Sequence, residues 1–325
     1  MLKMIIAKSM NRLPLPISST RTFRDSTHCP TIGCSSQFSI NDYNLDRYIH
    51  NWPIRCISCK IEINWWTELL RHFTNPFAAG LFAMVGGWST FLSVELTPGK
   101  MHALNLQDVG VPKDATILHI HYNGQAKPDG SEVIPIEFHG NSPFHWLLSH
   151  SRTIYAVPQG NPSLKGLVSA IVIWAEFTGE NHSLKNLITA FDAFHKNNLA
   201  QAIVPASVAI EAPLSLLLQG QERRLADSAK YEDGNLKSYG VKLNELLPEY
   251  ARLANYPVLK AEVMEALNEM KEHRNSIAHE GRTKTPITSN DLSRMLTASY
   301  IAIGYLRLLK GKAYPALLPP AGAIA

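Results

Sequence analysis

Glu272-His273-Arg274-Asn275-Ser276-Ile277-Ala278-His279-Glu280-Gly281 is the stretch on which the C-terminal part of this chain turns. It ends a helical pattern that starts near Val258. Gly281 is placed to cap that helix, because glycine adopts the left-handed conformation of a helix C-terminus without steric cost. Three groups suited to phosphate chemistry fall within six positions. Arg274 keeps its charge and offers a planar fork to anionic oxygens. His279 exchanges protons near neutral pH. Asn275 can hydrogen-bond a substrate or fix the other two. A structural alternative exists, since Arg274 and His279 both favour the dipole of a helix C-terminus. Asn275 and Ser276 weaken a helix interior, however, and are not what stability alone selects. His273, next in line, is read as solvated.

The surrounding chain is helical from about 180 to 312. Ser183 is expected to cap a helix with Leu184, Leu187, Ile188, Phe191 and Phe194 on one face. A longer apolar helix follows over 199–218, where Pro205 and Pro213 predict kinks. Glu211 is its only charge, so it is expected either at the surface or with a partner. A polar insert at 219–240 separates it from a helix over 241–253, which Tyr256-Pro257 ends. The helix carrying the opening stretch comes next, over 258–278. Ser289 or Asn290 is expected to cap a last helix through Leu309, and residues 313–325 form a Pro- and Ala-rich tail.

Upstream the pattern is different. Residues 1–27 read as a leader without periodicity; the apolar run at the start is too short for a secretory signal. All four cysteines lie in the segment 28–63, as Cys29-Pro-Thr-Ile-Gly-Cys34 and Cys56-Ile-Ser-Cys59. Two short pairs about twenty residues apart outline a zinc ribbon, in which each pair closes a tight turn and four thiolates surround a structural Zn²⁺. Disulfides or unpaired thiols are the alternatives, and His28 is an alternative donor to Cys29. Asn64 opens a short helix within 64–87, with Trp65, Trp66, Leu69, Leu70 and Phe73 at helical spacing. Residues 88–179 then alternate in short runs closed by turn residues, which predicts an antiparallel sandwich or barrel. His119 and His121 share a strand face there, without acidic or Cys partners at ligand spacing. His139, His145 and His150 enrich the same region.

The chain has 325 residues, 45% apolar and 18% charged, with a formal net charge of +4. That composition is globular and excludes a disordered chain. The charge permits a nucleic-acid partner without demanding one. The uncharged run 73–94 is long enough to span a bilayer, but Gly86-Gly87 divides it into a helical and a strand-like half, so no membrane partner is expected. The fold class expected is multidomain α+β.

With these residues in place, the segment 180–312 resembles the HEPN domain. Arg274, Asn275 and His279 match the family's Arg-Asn-x-x-x-His motif, and Val208-Ala209-Ile210-Glu211 resembles its first helix, where an acidic residue is often seen. The two prolines and the 219–240 insert depart from the family pattern. The resemblance implies a metal-independent endoribonuclease with RNA as substrate, Arg274, Asn275 and His279 as its catalytic residues, and Glu211 in support. It also implies a homodimer in which paired domains share one site. Five helical positions rotate by roughly 140° and separate Arg274 from His279. They converge only if the helix loosens near Ala278 or if two copies meet. A cytoplasmic effector of the anti-phage or toxin type, with the zinc ribbon and β-rich region sensing or recruiting, is the architecture this resembles. A non-catalytic scaffold for dimerisation or nucleotide binding is the alternative.

Overall fold

The structure is a computed structural model and describes residues 25–74, 88–96, 102–124, 136–138, 153–158, 166–177, 182–219 and 238–317. The expectations for residues 1–24 of the leader, for most of the polar insert and for His139, His145 and His150 lie outside the described residues; the last three residues of the expected leader are instead strand, within Asp25–His28. Helix outweighs strand, and the chain divides into two compact units.

One unit holds the strand-rich segment, Leu81–Thr178. Its strands are β3 (Trp88–Leu96), β4 (His102–Asn105), β5 (Thr116–Gly124), β6 (Ile136–Phe138), β7 (Thr153–Pro158) and β8 (Gly166–Ala175). They form two antiparallel three-stranded sheets, ordered β3-β8-β5 and β4-β7-β6. Within the first sheet the Trp174 indole donates to Thr90 Oγ1 at 2.9 Å, which satisfies a buried donor. His119 and His121 fall on β5, where the register shifts between Ile117 and His119.

The other unit joins Arg24–Gly80 to Gly179–Ala325, so the cysteine segment is built into the helical body. It begins with a hairpin of β1 (Asp25–His28) and β2 (Gln37–Ile40), followed by α1 (Asp42–Ile49) and α2 (Trp65–Thr74). Asn41 caps α1 and Asn64 caps α2, each accepting a backbone amide three residues on. Of the two tryptophans that start α2, Trp65 is core, only 2% exposed. The ends of the uncharged run 73–94 fall in α2 and β3; residues 75–87 are not described.

Downstream come α3 (His182–His195) and α4 (Leu199–Leu218). Then α5 runs over 239–253 as Tyr239–Val241, a π turn at Lys242–Leu246, and Leu247–Leu253. The unit ends with α6 (Ala261–Glu280) and α7 (Ser289–Leu317). The π turn ends two residues before Pro248, which has no N–H for the carbonyl four residues back. α4 stays one helix through Pro205 and Pro213. It is long and apolar enough to cross a membrane, yet Ile203, Ala206, Ile210 and Leu214 are buried within the unit.

Two helix starts differ from expectation. α3 begins at His182, so Ser183 lies in its first turn and not at its cap. For α7 the cap is Thr288, not Ser289 or Asn290. Thr288 Oγ1 accepts the Asp291 amide at 3.2 Å, and Asp291 Oδ2 accepts the Thr288 amide at 3.1 Å. This reciprocal box needs a carboxylate three residues after the hydroxyl, which Ser289 and Asn290 do not have. α7 also runs past Leu309, to Leu317.

α1 docks on α6, on the segment before it and on α7 through paired polar contacts and one close approach. Tyr48 donates to Glu262 at 2.8 Å and Tyr256 to Asp46 at 2.6 Å, while Arg307 pairs with Asp42. Gly304, in mid-helix, admits the Leu45 side chain where a Cβ would collide with it. That contact accounts for a residue that otherwise weakens a helix interior by about 1 kcal/mol.

Candidate functional site

The four cysteine sulfurs converge. Cys29 and Cys59 lie 3.6 Å apart, Cys34 and Cys56 3.7 Å, and all four ligand atoms fall within 4.8 Å of one another. Sulfurs about 2.3 Å from a central tetrahedral ion would be about 3.8 Å apart, so the donor set can hold a metal ion. Two turns produce the convergence. In the first, the Cys34 amide donates to Thr31 O at 3.0 Å, with Gly33 at φ 81°. In the second, Cys56 O accepts the Lys60 amide at 3.1 Å, with Lys60 itself left-handed at φ 63°. The hydroxyls of Ser36 and Ser58 hydrogen-bond from one turn to the other. No disulfide is formed. His28 pairs with Gln37 in the hairpin and is not among the four donors.

Hydrogen bonds, burial and the neighbouring sulfurs shift the thiols in opposite directions. The Cys59 backbone amide favours the Cys56 thiolate and brings its pKa down to about 6. Cys59 is lowered as well, first by the Ile61 amide and then by the Thr31 hydroxyl. Thr31 also favours the Cys29 thiolate, but burial and the neighbouring Cys59 and Cys56 sulfurs push that thiol up to about 11. A cation would remove the conflict by drawing charge from all four. The cluster is tied to the helices by Arg71 of α2. It donates to Thr27 Oγ1 at 2.8 Å, to His28 O at 3.2 Å and to Glu68 at 2.9 Å.

At the other candidate site, α4 and α6 meet through Arg274. Its Nη2 lies 3.4 Å from Glu211 Oε2 and its Nη1 3.2 Å from Asn275 Oδ1. Glu211 is therefore partnered, and both members of the pair keep about a third of their side-chain surface, 35% for Arg274 and 32% for Glu211. One helical turn beyond Glu211, Ser215 accepts from the buried Lys242 ammonium at 3.0 Å. Tyr239 is buried beside this group. Burial raises its phenol pKa, the Glu211 charge adds to the rise, and Arg274 opposes it. Sequence reasoning missed Tyr239 and Lys242. Lys242 had a visible signal: it falls on the apolar stripe of Tyr239, Leu243, Leu246 and Tyr250, where a charge is out of place.

His279 stands apart from that network. It is exposed near the end of α6, and no partner reaches it among the described residues. The helix is hydrogen-bonded to its cap, with Gly281 at φ 71° donating to Ile277 O at 3.0 Å. No loosening near Ala278 brings His279 toward Arg274, so within one chain they occupy different faces. His273, expected to be solvated, is buried at 5% exposure. Its position continues the stripe Val263, Ala266, Met270, so helical phase carries it inward whatever its polarity. Beyond the cap, Lys284 donates to Glu272 at 2.6 Å, returning the loop to α6 and lowering the Glu272 pKa.

Comparison of the chain with family models, curated proteins and solved structures finds no match.

Proposed function

We propose that this chain is a metal-independent endoribonuclease whose 180–312 segment acts as a HEPN-like domain. The reading is supported by the network Glu211–Arg274–Asn275 across two facing helices, with an exposed His279 later on the same helix. RNA cleavage of this kind requires removal of the 2′-OH proton, attack on the adjacent phosphorus and protonation of the departing 5′ oxygen. His279 moves the protons. Arg274 balances the added charge on the phosphorane, and Asn275 orients it or the phosphate. Glu211 holds the guanidinium in place, a positioning role. Arg274 and His279 lie on different faces of one regular helix, so the working site combines two copies of the chain.

The four cysteines hold a structural Zn²⁺ in this reading. Four protein donors complete a tetrahedral shell and leave no open position for substrate. The two sheets form a sandwich-like domain that senses or recruits, and the protein works as a cytoplasmic effector of the anti-phage or toxin type. One observation favours a second reading, a non-catalytic scaffold: the Arg274 guanidinium already has partners in Glu211 and Asn275.

The deciding experiment is RNA cleavage by the purified protein in the presence of a chelator, with His279→Ala and Arg274→Ala alongside. Loss of cleavage in both variants is expected. Equal cleavage by all three proteins removes α6 from the chemistry, and a folded dimer that cuts no RNA supports the scaffold. A variant that is monomeric but folded should also lose cleavage.

A further inference from the structure

A cleft of about 470 Å³ opens between the cysteine-bearing loop, α1 and the start of α6. Small-ligand sites occupy about 300–1,000 Å³. Its walls include Tyr48, Trp52, Glu62, Asn64, Lys260 and Glu262, none of them used by the reaction proposed above.

Trp52 is the centre of the argument. It is 51% exposed. One face of its indole stacks on His50, with centroids 4.5 Å apart and planes 23° from parallel. His50 is itself braced, edge-on to Tyr256 at 5.1 Å and with Nδ1 2.9 Å from Asp46 O. Trp52 lines the cleft and His50 does not, while about half of the tryptophan is exposed. A large aromatic ring held flat by a stacked neighbour is a stacking platform.

The polar groups around the platform are of three kinds. Lys260 places its ammonium 4.0 Å from the Tyr48 ring centroid, and Tyr48 donates its hydroxyl to Glu262. Asn64 uses Oδ1 to cap α2, which leaves its amide N–H groups available. The Glu62 carboxylate has no ion-pair partner among the described residues, and neither has Lys260.

These features discriminate between ligand classes. An apolar ligand would strand a carboxylate, an ammonium and an amide against its surface. A quaternary ammonium needs several open aromatic faces, but Lys260 already covers Tyr48 and would repel a second cation. A flat heteroaromatic ring with hydrogen-bond donors on its edge and an anionic substituent satisfies all of them. Guanine fits best, because its adjacent N1–H and N2–H₂ donors match the two oxygens of a carboxylate.

We propose that this cleft binds a guanine nucleotide, free or within single-stranded RNA. The base stacks on Trp52, Glu62 accepts from its donor edge, and Lys260 meets its phosphate. The inference is independent of cleavage at α6.

Binding is measured on the full chain carrying His279→Ala, so that no RNA is cut. The probes are GMP, AMP, a uridine-rich octamer with one central guanosine, and the same octamer with adenosine there. The guanine probes should bind more tightly than their adenine counterparts. Trp52→Ala should weaken guanine binding at least about fivefold, the lower range for one stacked base. Glu62→Gln should leave stacking intact and abolish the preference for guanine. Both side chains are exposed, and an unchanged melting temperature verifies the fold. Binding of the octamer without GMP identifies RNA as the source of the base; equal binding identifies the free nucleotide. The proposal fails if Trp52→Ala binds like its parent, if adenine and guanine probes are equivalent, or if a trimethyl-lysine peptide binds where nucleotides do not.

Discussion

The cysteine cluster and the end of α6 both assemble reactive side chains from short sequence gaps, and they do so to opposite effect. Cys56 and Cys59 are three positions apart on a turn, and Cys29 and Cys34 five apart on another. Turns reverse direction, so all four sulfurs reach one point within one chain. Arg274 and His279 are also five apart, but on a helix that stays regular to its cap. A helix converts the same spacing into divergence. The four sulfurs of the first group meet within a single chain, whereas Arg274 and His279 do not. The lesson is that ligand spacing acquires meaning only once the local backbone is known.

The comparison also separates stability from chemistry, and that separation can be broken experimentally. The largest effect is expected at α6. His279→Ala should lower RNA cleavage by about 10²–10⁴-fold, the usual scale for a group that moves protons. Its melting temperature should not change, because the side chain is exposed and unpartnered among the described residues. A fall in stability with cleavage intact would reverse the assignment.

The cysteines should behave in the converse way. Metal analysis should find one ion per chain, and Cys56→Ser should reduce that and lower the melting temperature by about 5–10 °C. α1 and α2 should loosen together, since Arg71 and the docking of α1 link the cluster to the helices. Metal-free protein of unchanged stability would sink this claim.

A smaller loss is expected where α1 meets α7. Gly304→Ala places a methyl against the buried Leu45 side chain. The expected cost is about 1–3 kcal/mol by denaturant unfolding, typical of overpacking. A stabilised variant would mean that α1 is not seated as described.

The smallest effect is at the α7 cap. Thr288→Ala should cost about 1 kcal/mol. It should also be pH-dependent. The Thr288 hydroxyl, and then its amide, hold the Asp291 pKa below the usual value. A depressed carboxylate stabilises the fold above its unfolded pKa, and that contribution is lost as pH falls through the folded value. The difference between Thr288→Ala and its parent should therefore shrink below about pH 4. A constant difference would show that the carboxylate takes no part in the cap.

Much of this could be read from the chain, though unevenly. Strands stood out wherever alternation met a turn, as at Thr116–Gly124, because a half-buried strand must alternate. Gly281 marked the end of α6 correctly because few residues other than glycine take that conformation readily. The Thr288 box was legible too, as a hydroxyl followed three residues later by Asp291, but the neighbouring Ser289 and Asn290 drew the reading away. His273 was misjudged by polarity when its phase on the helix was the better guide.

What the sequence determined by itself was local: the helical or alternating character of most segments downstream of Asn64, and a few of their ends, such as Gly281. Those follow from backbone preferences and side-chain periodicity, which act over a few residues. Tertiary structure alone decided that the cysteine segment belongs to the helical unit, that Glu211 meets Arg274 across 63 residues, and that Trp52, Glu62 and Lys260 share one cleft. Contacts between distant segments depend on how whole helices pack, and no short-range pattern encodes that.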